Sequence, residues 1–216
     1  MLIGQISLNI SLCLYLIVFF PQLLLNIKRK NTQGFSIATH GFLSLGYLCD
    51  LVYGFGCQMQ WQYKMVALVG LGCLIIQHCQ FYQYGLNKKS EKNAYWIITF
   101  LSLAWGCFVT FAICCYHPGR EFYDAIGLSA TICWTLCVFP QIIQNYLRQS
   151  TAGLSLAFVV LSIIIKICDM ISAWILNWDY PSKIGSVVFF CGGIILLLQV
   201  MHYAGKLKRS SVVAYC

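Results

Sequence analysis

Two stretches of this 216-residue chain carry the same pattern 119 positions apart. Phe20-Pro21-Gln22 recurs as Phe139-Pro140-Gln141, and without a gap Asn26 meets Asn145, Thr32 meets Thr151, Gly34 meets Gly153 and Ser36 meets Ser155. The register holds into the next apolar segment, where Cys49-Asp50 meets Cys168-Asp169. It continues through Lys64 and Lys183, Gln80 and Gln199, and Tyr84 and Tyr203. A repeat of this length, with proline and aspartate inside apolar helices, predicts two copies of one helical unit, an arrangement found in transporters.

The solvent for these units is lipid. Hydrophobic residues make up 60% of the chain and charged residues 9%, against about 25% charged in a soluble domain. A spanning helix needs about 20 apolar residues. Seven segments qualify, near 4–27, 36–57, 64–84, 94–116, 122–147, 155–177 and 183–204. The expectation is an all-α membrane protein, because in lipid only helices or closed barrels satisfy the backbone and no alternating strand pattern is present. The first stretch resembles a signal peptide in composition but carries the first copy of the repeat, so it is read as a retained helix.

The net charge of +8 is a topology signal. Lys28, Arg29, Lys30, Lys88, Lys89, Lys92, Arg148, Lys206, Lys208 and Arg209 fall on one side, against Lys64, Arg120 and Lys183 on the other. The positive-inside rule places the first group in the cytosol, the N-terminus outside or in a lumen, and the C-terminus in the cytosol. The partners expected are a lipid bilayer and a small solute, and no nucleic acid. Most of the 13 cysteines, Cys49, Cys73, Cys107, Cys133, Cys137 and Cys168 among them, sit inside spans, where cysteine behaves as a small apolar residue. They show no zinc spacing, and Cys216 is not a prenylation box.

Spans 1–3 and 5–7 form the two units, with span 4 unmatched between them. Both units then enter the membrane in the same direction. The result is two parallel three-helix bundles joined by a linker helix, or 3+1+3. The corresponding boundaries are residues 1–87, 88–119 and 120–216. Solute would sit between the bundles near mid-membrane.

Pro21 and Pro140 each deny a backbone hydrogen bond to the carbonyl four residues earlier, at Ile17 and Leu136. The duplicated kink is read as a hinge for rocking bundles, with Gln22 and Gln141 supplying donors and acceptors beside it. Of six acidic residues, Glu91, Glu121, Asp124 and Asp179 lie in or beside loops, and only Asp50 and Asp169 are deeply intramembrane. Each aspartate follows its helix-opening serine by 14 residues, roughly 21 Å at 1.5 Å per residue, which sets both towards the outer or lumenal side. Burial favours the neutral form of a carboxyl group, so both are candidate proton carriers, with no cofactor beyond the coupling proton. Lys166 shares a helix face with Asp169 and can pair with it, as a structural ion pair or as a group that receives a substrate carboxylate. Asp50 has no cationic neighbour on its own helix and is the first choice for the proton carrier. His40 and His78 lie within spans and are read as packing residues.

The motif Phe20-Pro21-Gln22-x3-Asn26 followed by Thr32-x-Gly34-x-Ser36, doubled at Phe139 to Ser155, resembles the PQ-loop repeat family of seven-helix transporters. That family includes cystinosin, the lysosomal cationic amino-acid exporters and, more distantly, the SWEET sugar carriers. The resemblance implies a proton-coupled amino-acid exporter moving its solute towards the cytosol by alternating access. It also implies substrate contacts at Asn26, Asn145 and Lys183, the last opening span 7. Ser162 and Ile194 stand where cystinosin-type members align acidic residues, which sets this chain apart from a cystine carrier. A lysosomal or other endomembrane, or a bacterial inner membrane, fits the resemblance. A KDEL-receptor-like cargo or signalling receptor and a sugar facilitator are the alternatives. An enzyme is not expected, since no nucleophile–base pair gathers at one depth.

Overall fold

The computed structural model describes residues 1–85, 89–178 and 180–213, with the side chains of residues 90, 180–182 and 205–213 left aside. Lys88, Asp179 and Cys216 lie outside the described residues, as do the side chains of Lys206, Lys208 and Arg209. Among the described residues all regular structure is helical: α1 Leu2–Ile17, α2 Phe20–Arg29, α3 Ile37–Gly56, α4 Trp61–Tyr84, α5 Lys89–Tyr116, α6 Arg120–Leu136, α7 Val138–Arg148, α8 Leu156–Ile175 and α9 Tyr180–Val213.

The extra elements come from the prolines. Val18 and Cys137, where α1 meets α2 and α6 meets α7, keep right-handed helical dihedrals. The hydrogen-bond ladder is therefore interrupted at each Pro-Gln motif while the chain keeps its helical course. Leu2–Arg29 and Arg120–Arg148 each remain one continuous apolar run.

Among the described residues, six helices are long and apolar enough to cross a membrane: Leu2–Arg29, Trp61–Tyr84, Glu91–Tyr116, Arg120–Arg148, Leu156–Ile175 and Lys183–Ala204. The remaining expected span, α3, carries Thr39, His40, Ser44 and Asp50 and is not among them. Its packing explains why it can be more polar. α3 lies against α4, α5, α6 and α7, so protein rather than lipid covers most of its surface.

The repeat extends to the backbone. α2 and α7 both end on a left-handed residue, Lys30 (φ 48°) and Gln149 (φ 49°). α3 and α8 both begin on a serine, Ser36 and Ser155, whose hydroxyl accepts from the N–H three residues on, at 3.3 Å in each case. Left-handed Gln58 and Asn177 then close α3 and α8 in matching positions. The same short polar motifs, read twice, build the same connector twice.

The principal contacts also mirror each other. α4 packs on α1, α2 and α3, and α9 packs on α6, α7 and α8. The broadest contacts across the two repeats are α3 on α6 and α1 on α8. α5 is held chiefly by α3 and presents Trp96, Ile97, Phe100, Leu103 and Phe108 outwards.

The two span histidines are not independent packing residues. His40 Nε2 and His78 Nδ1 lie 3.0 Å apart, and His78 Nε2 lies 2.9 Å from Thr99 Oγ1. This short polar chain ties α3 to α4 and α4 to α5. All described cysteines are free.

Candidate functional site

A cavity of about 550 Å3 lies between the α1–α4 and α6–α9 elements. Its deep wall is formed by Ser11 and Tyr15 of α1, Asp50 of α3, Trp134 of α6, and Lys166 and Asp169 of α8. From there it runs past Gln62, Tyr63, Arg120, Asp124 and Trp178, at the end of the molecule opposite the basic loops after α2 and α7. Arg120 and Asp124, 3.7 Å apart, stand exposed at this far end.

The two aspartates have different surroundings. Asp169 accepts from Ser11 Oγ on Oδ1. On Oδ2 it accepts from Tyr15 Oη at 2.9 Å and Lys166 Nζ at 2.9 Å. The Lys166 ammonium also donates to Tyr15 Oη at 2.7 Å. It sits 5.4, 5.2 and 5.0 Å from the ring centres of Tyr15, Trp134 and Phe189. Three donors, one of them the buried Lys166 ammonium, make Asp169 part of an ion-paired cluster. Asp50 accepts from Tyr63 Oη on Oδ1 and from Trp134 Nε1 on Oδ2 at 2.7 Å, and among the described residues no cation bonds it.

Towards the basic end the cavity gives way to a void of about 50 Å3, too small for an amino acid. Phe158 packs here against Phe19 and Phe35 at centroid distances of 5.8 Å each. Beyond this plug the two repeats clasp each other reciprocally. Gln22 Nε2 donates to Gly153 O at 3.0 Å, and Gln22 Oε1 accepts from Ser155 N at 2.8 Å. Gln141 Nε2 donates to Gly34 O at 3.0 Å, and Gln141 Oε1 accepts from Ser36 N at 2.7 Å.

Behind each glutamine stands its asparagine, with Asn26 Oδ1 and Asn145 Oδ1 each accepting at 2.9 Å. These asparagines donate in turn to Gln80 and Gln199. Gly34 and Gly153 cross in contact at the centre, where a Cβ on Gly34 would collide with the Gly153 backbone. Gly153 itself has φ +95°, a conformation that glycine adopts without strain.

The expected site residues therefore fall into three places. Asp50, Asp169 and Lys166 meet on the cavity wall. Pro21 and Pro140 mark the two helix breaks. Gln22, Gln141, Asn26 and Asn145 are buried together in the clasp. Asn26 and Asn145, expected to meet substrate, are not among the cavity's lining residues. Neither is Lys183, which donates to Asn177 Oδ1 at 2.9 Å and lies 5.5 Å from the Trp174 ring centre.

Sequence reasoning passed over Ser11, Tyr15, Tyr63 and Trp134. A signal for two of them was present, because Tyr15 and Trp134 occupy matching positions of the repeat. Each is an aromatic donor upstream of the Pro-Gln motif.

An all-α membrane fold, a twice-used helix connector and a cavity between the two copies with charged side chains on its wall define a multi-pass membrane protein with an internal repeat. The PQ loop repeat profile matches residues 3–61 and 122–182, more than half of the chain. The chain belongs to the PQ-loop repeat family. The vacuolar histidine transporter YPQ3 of Saccharomyces cerevisiae is 36% identical over 84 residues, 39% of this chain and 28% of that protein. The vacuolar lysine transporter YPQ1 of the same yeast is 33% identical over 85 residues, 38% of this chain and 28% of that protein. The aligned stretch thus spans under a third of these curated relatives, and neither is an enzyme. A eukaryotic SWEET transporter structure superimposes with a TM-score of 0.66 at 14% identity, covering 95% of this chain and 100% of that one. That likeness concerns the fold.

Proposed function

We propose that this protein is a proton-coupled carrier that moves an amino acid towards the cytosol by alternating access. The cavity carries the reading. It is about 550 Å3, within the range of small-molecule sites, and its deep wall places two carboxylates and one ammonium between the repeats. The similarity to yeast histidine and lysine transporters supports an amino acid as the solute. Residues 1–87 and 120–216 act as the two moving bundles and residues 88–119 as the linker. Pro21 and Pro140 are the hinges, and the glutamine clasp with its asparagines is the gate at the basic end. Lys166 receives the substrate carboxylate. Asp50 carries the proton, because its ligands are hydrogen-bond donors without charge, whereas Asp169 is held by an ammonium.

The test is uptake into proteoliposomes against an amino-acid panel, with and without an inward acid gradient. Asp50→Asn, which mimics the protonated acid, is expected to abolish gradient-driven uptake while equal-pH exchange persists. Full gradient stimulation in Asp50→Asn would remove Asp50 from the coupling role.

We place the basic end in the cytosol, with the N-terminus in a lumen or outside, in the membrane of an acidic compartment. Thr32 is buried, so exposed Asn31 is the better reporter. With native cysteines removed, Asn31→Cys is expected to label from the cytosol and Gln60→Cys from the opposite side. Labelling of both from one side would overturn this topology.

A further inference from the structure

The clasp at the basic end has a counterpart around the two aspartates. Tyr15 and Trp134 stand 119 positions apart, at the same place in the two repeats. Tyr15, in the first copy, donates to Asp169 in the second. Trp134, in the second copy, donates to Asp50 in the first. Each repeat thus holds the other's intramembrane carboxylate through an aromatic donor. We propose that Tyr15 and Trp134 are a reciprocal pair of positioning residues, Trp134 transmitting the protonation of Asp50 to the opposite repeat and Tyr15 setting the Lys166–Asp169 substrate site. This inference rests on the transport reading above.

The chemistry of the two donors makes their roles unequal. An indole N–H donates and never accepts, whereas a phenol does both. A proton arriving at Asp50 from the far end therefore binds Oδ1, where Tyr63 can reverse its hydroxyl and accept. Oδ2 then becomes the carbonyl oxygen of a neutral acid, and its bond from Trp134 loses the charge assistance that roughly doubles such bonds.

Trp134 is also committed elsewhere. Its ring lies 5.2 Å from the Lys166 ammonium and packs edge-on against Tyr47 at 4.8 Å and Phe189 at 6.1 Å. Slackening the tie to Asp50 frees the same ring that covers Lys166. The Tyr15 hydroxyl sits between Lys166 Nζ and Asp169 Oδ2, accepting from one and donating to the other. The titratable groups facing Asp50 are Tyr15 from α1, Tyr47 and Cys49 from its own helix, Tyr63 from α4, Cys133 from α6, and Lys166 and Asp169 from α8. Lys166 is the only cation among these, and it is already bonded to Asp169.

Trp134→Phe keeps a ring and removes the donor. Read as the ratio of uptake with and without the acid gradient, the stimulation is expected to fall about tenfold, the worth of one charge-assisted bond. Tyr15→Phe is expected to raise KM about tenfold and to leave the gradient ratio unchanged. A merely structural role predicts matching losses in both variants, and that result would overturn the proposal.

A second readout does not depend on transport. The Trp134 indole 15N–1H resonance, identified by its absence from Trp134→Phe, is expected to move with pH in the full-length protein and to stay fixed in Asp50→Asn. A resonance insensitive to pH in the unsubstituted chain also overturns the proposal. A titrating resonance in a protein that carries no amino acid supports the Trp134 link and overturns the substrate reading instead.

Discussion

Gly34→Val is expected to abolish uptake and leave the protein open at its basic end. The backbones of Gly34 and Gly153 touch where the two repeat connectors cross, and backbone cannot yield as a side chain can. A branched side chain there is relieved only by parting the connectors, which also breaks the bonds from Gln22 and Gln141 to the opposite loops. Driving a two-state equilibrium from one state fully to the other takes about 5.5 kcal/mol, within reach of a backbone collision combined with several lost buried hydrogen bonds.

The measurement is cytosolic-side labelling of Thr39→Cys in a background without native cysteines. Thr39 is buried beside the small void below Lys166, so its labelling reports opening of that end. Labelling is expected to rise at least about tenfold in Gly34→Val, corresponding to a shift of about 1.4 kcal/mol or more. Where valine prevents folding, Gly34→Ala introduces the same Cβ with less bulk. Pro21→Ala and Pro140→Ala restore a helical hydrogen bond and are expected to slow exchange without exposing Thr39. Unchanged labelling and uptake in the glycine variants would show that the crossing is not the gate.

Asp169→Asn is expected to cost most of the folded protein. It leaves the Lys166 ammonium, whose side chain is 11% exposed, without its counter-charge. Removing one partner of a buried ion pair costs about 3–5 kcal/mol, a large part of a stability of about 5–15 kcal/mol. Monodisperse yield after solubilisation and the thermal midpoint measure the loss. The cluster also sets the rescue. Tyr15 bonds to both members of the pair, so Lys166→Met with Asp169→Leu takes both partners from its hydroxyl unless Tyr15→Phe accompanies them. The triple variant is expected to recover folding without transport, placing the pair at the substrate site. Recovery of both folding and transport would make the pair purely structural, and Asp169→Asn at normal yield would refute the buried-charge argument.

Spans, breaks and connectors were legible in the sequence because each depends on local chemistry. Apolar length makes a lipid-crossing helix, Pro21 and Pro140 interrupt one helical ladder each, and Ser36 and Ser155 cap the helices they precede. The repeat made the two halves alike in advance. α3 shows the limit of composition, since its polar residues are tolerated through neighbours that no hydropathy sum contains.

The glutamines and asparagines of the motif were seen as chemically capable, and their partners were not. Gln22 binds residues 131 and 133 positions away, and nothing in one copy of the motif says that it clasps the loop of the other copy. Pairings across the pseudo-symmetric interface exist only once the two units face each other. The sequence by itself determined the helical membrane fold, its duplication and the two intramembrane aspartates. Only the tertiary structure decided that Asp169 joins a lysine-centred cluster while Asp50 keeps neutral donors, because Tyr15, Tyr63 and Trp134 reach these carboxylates from other helices.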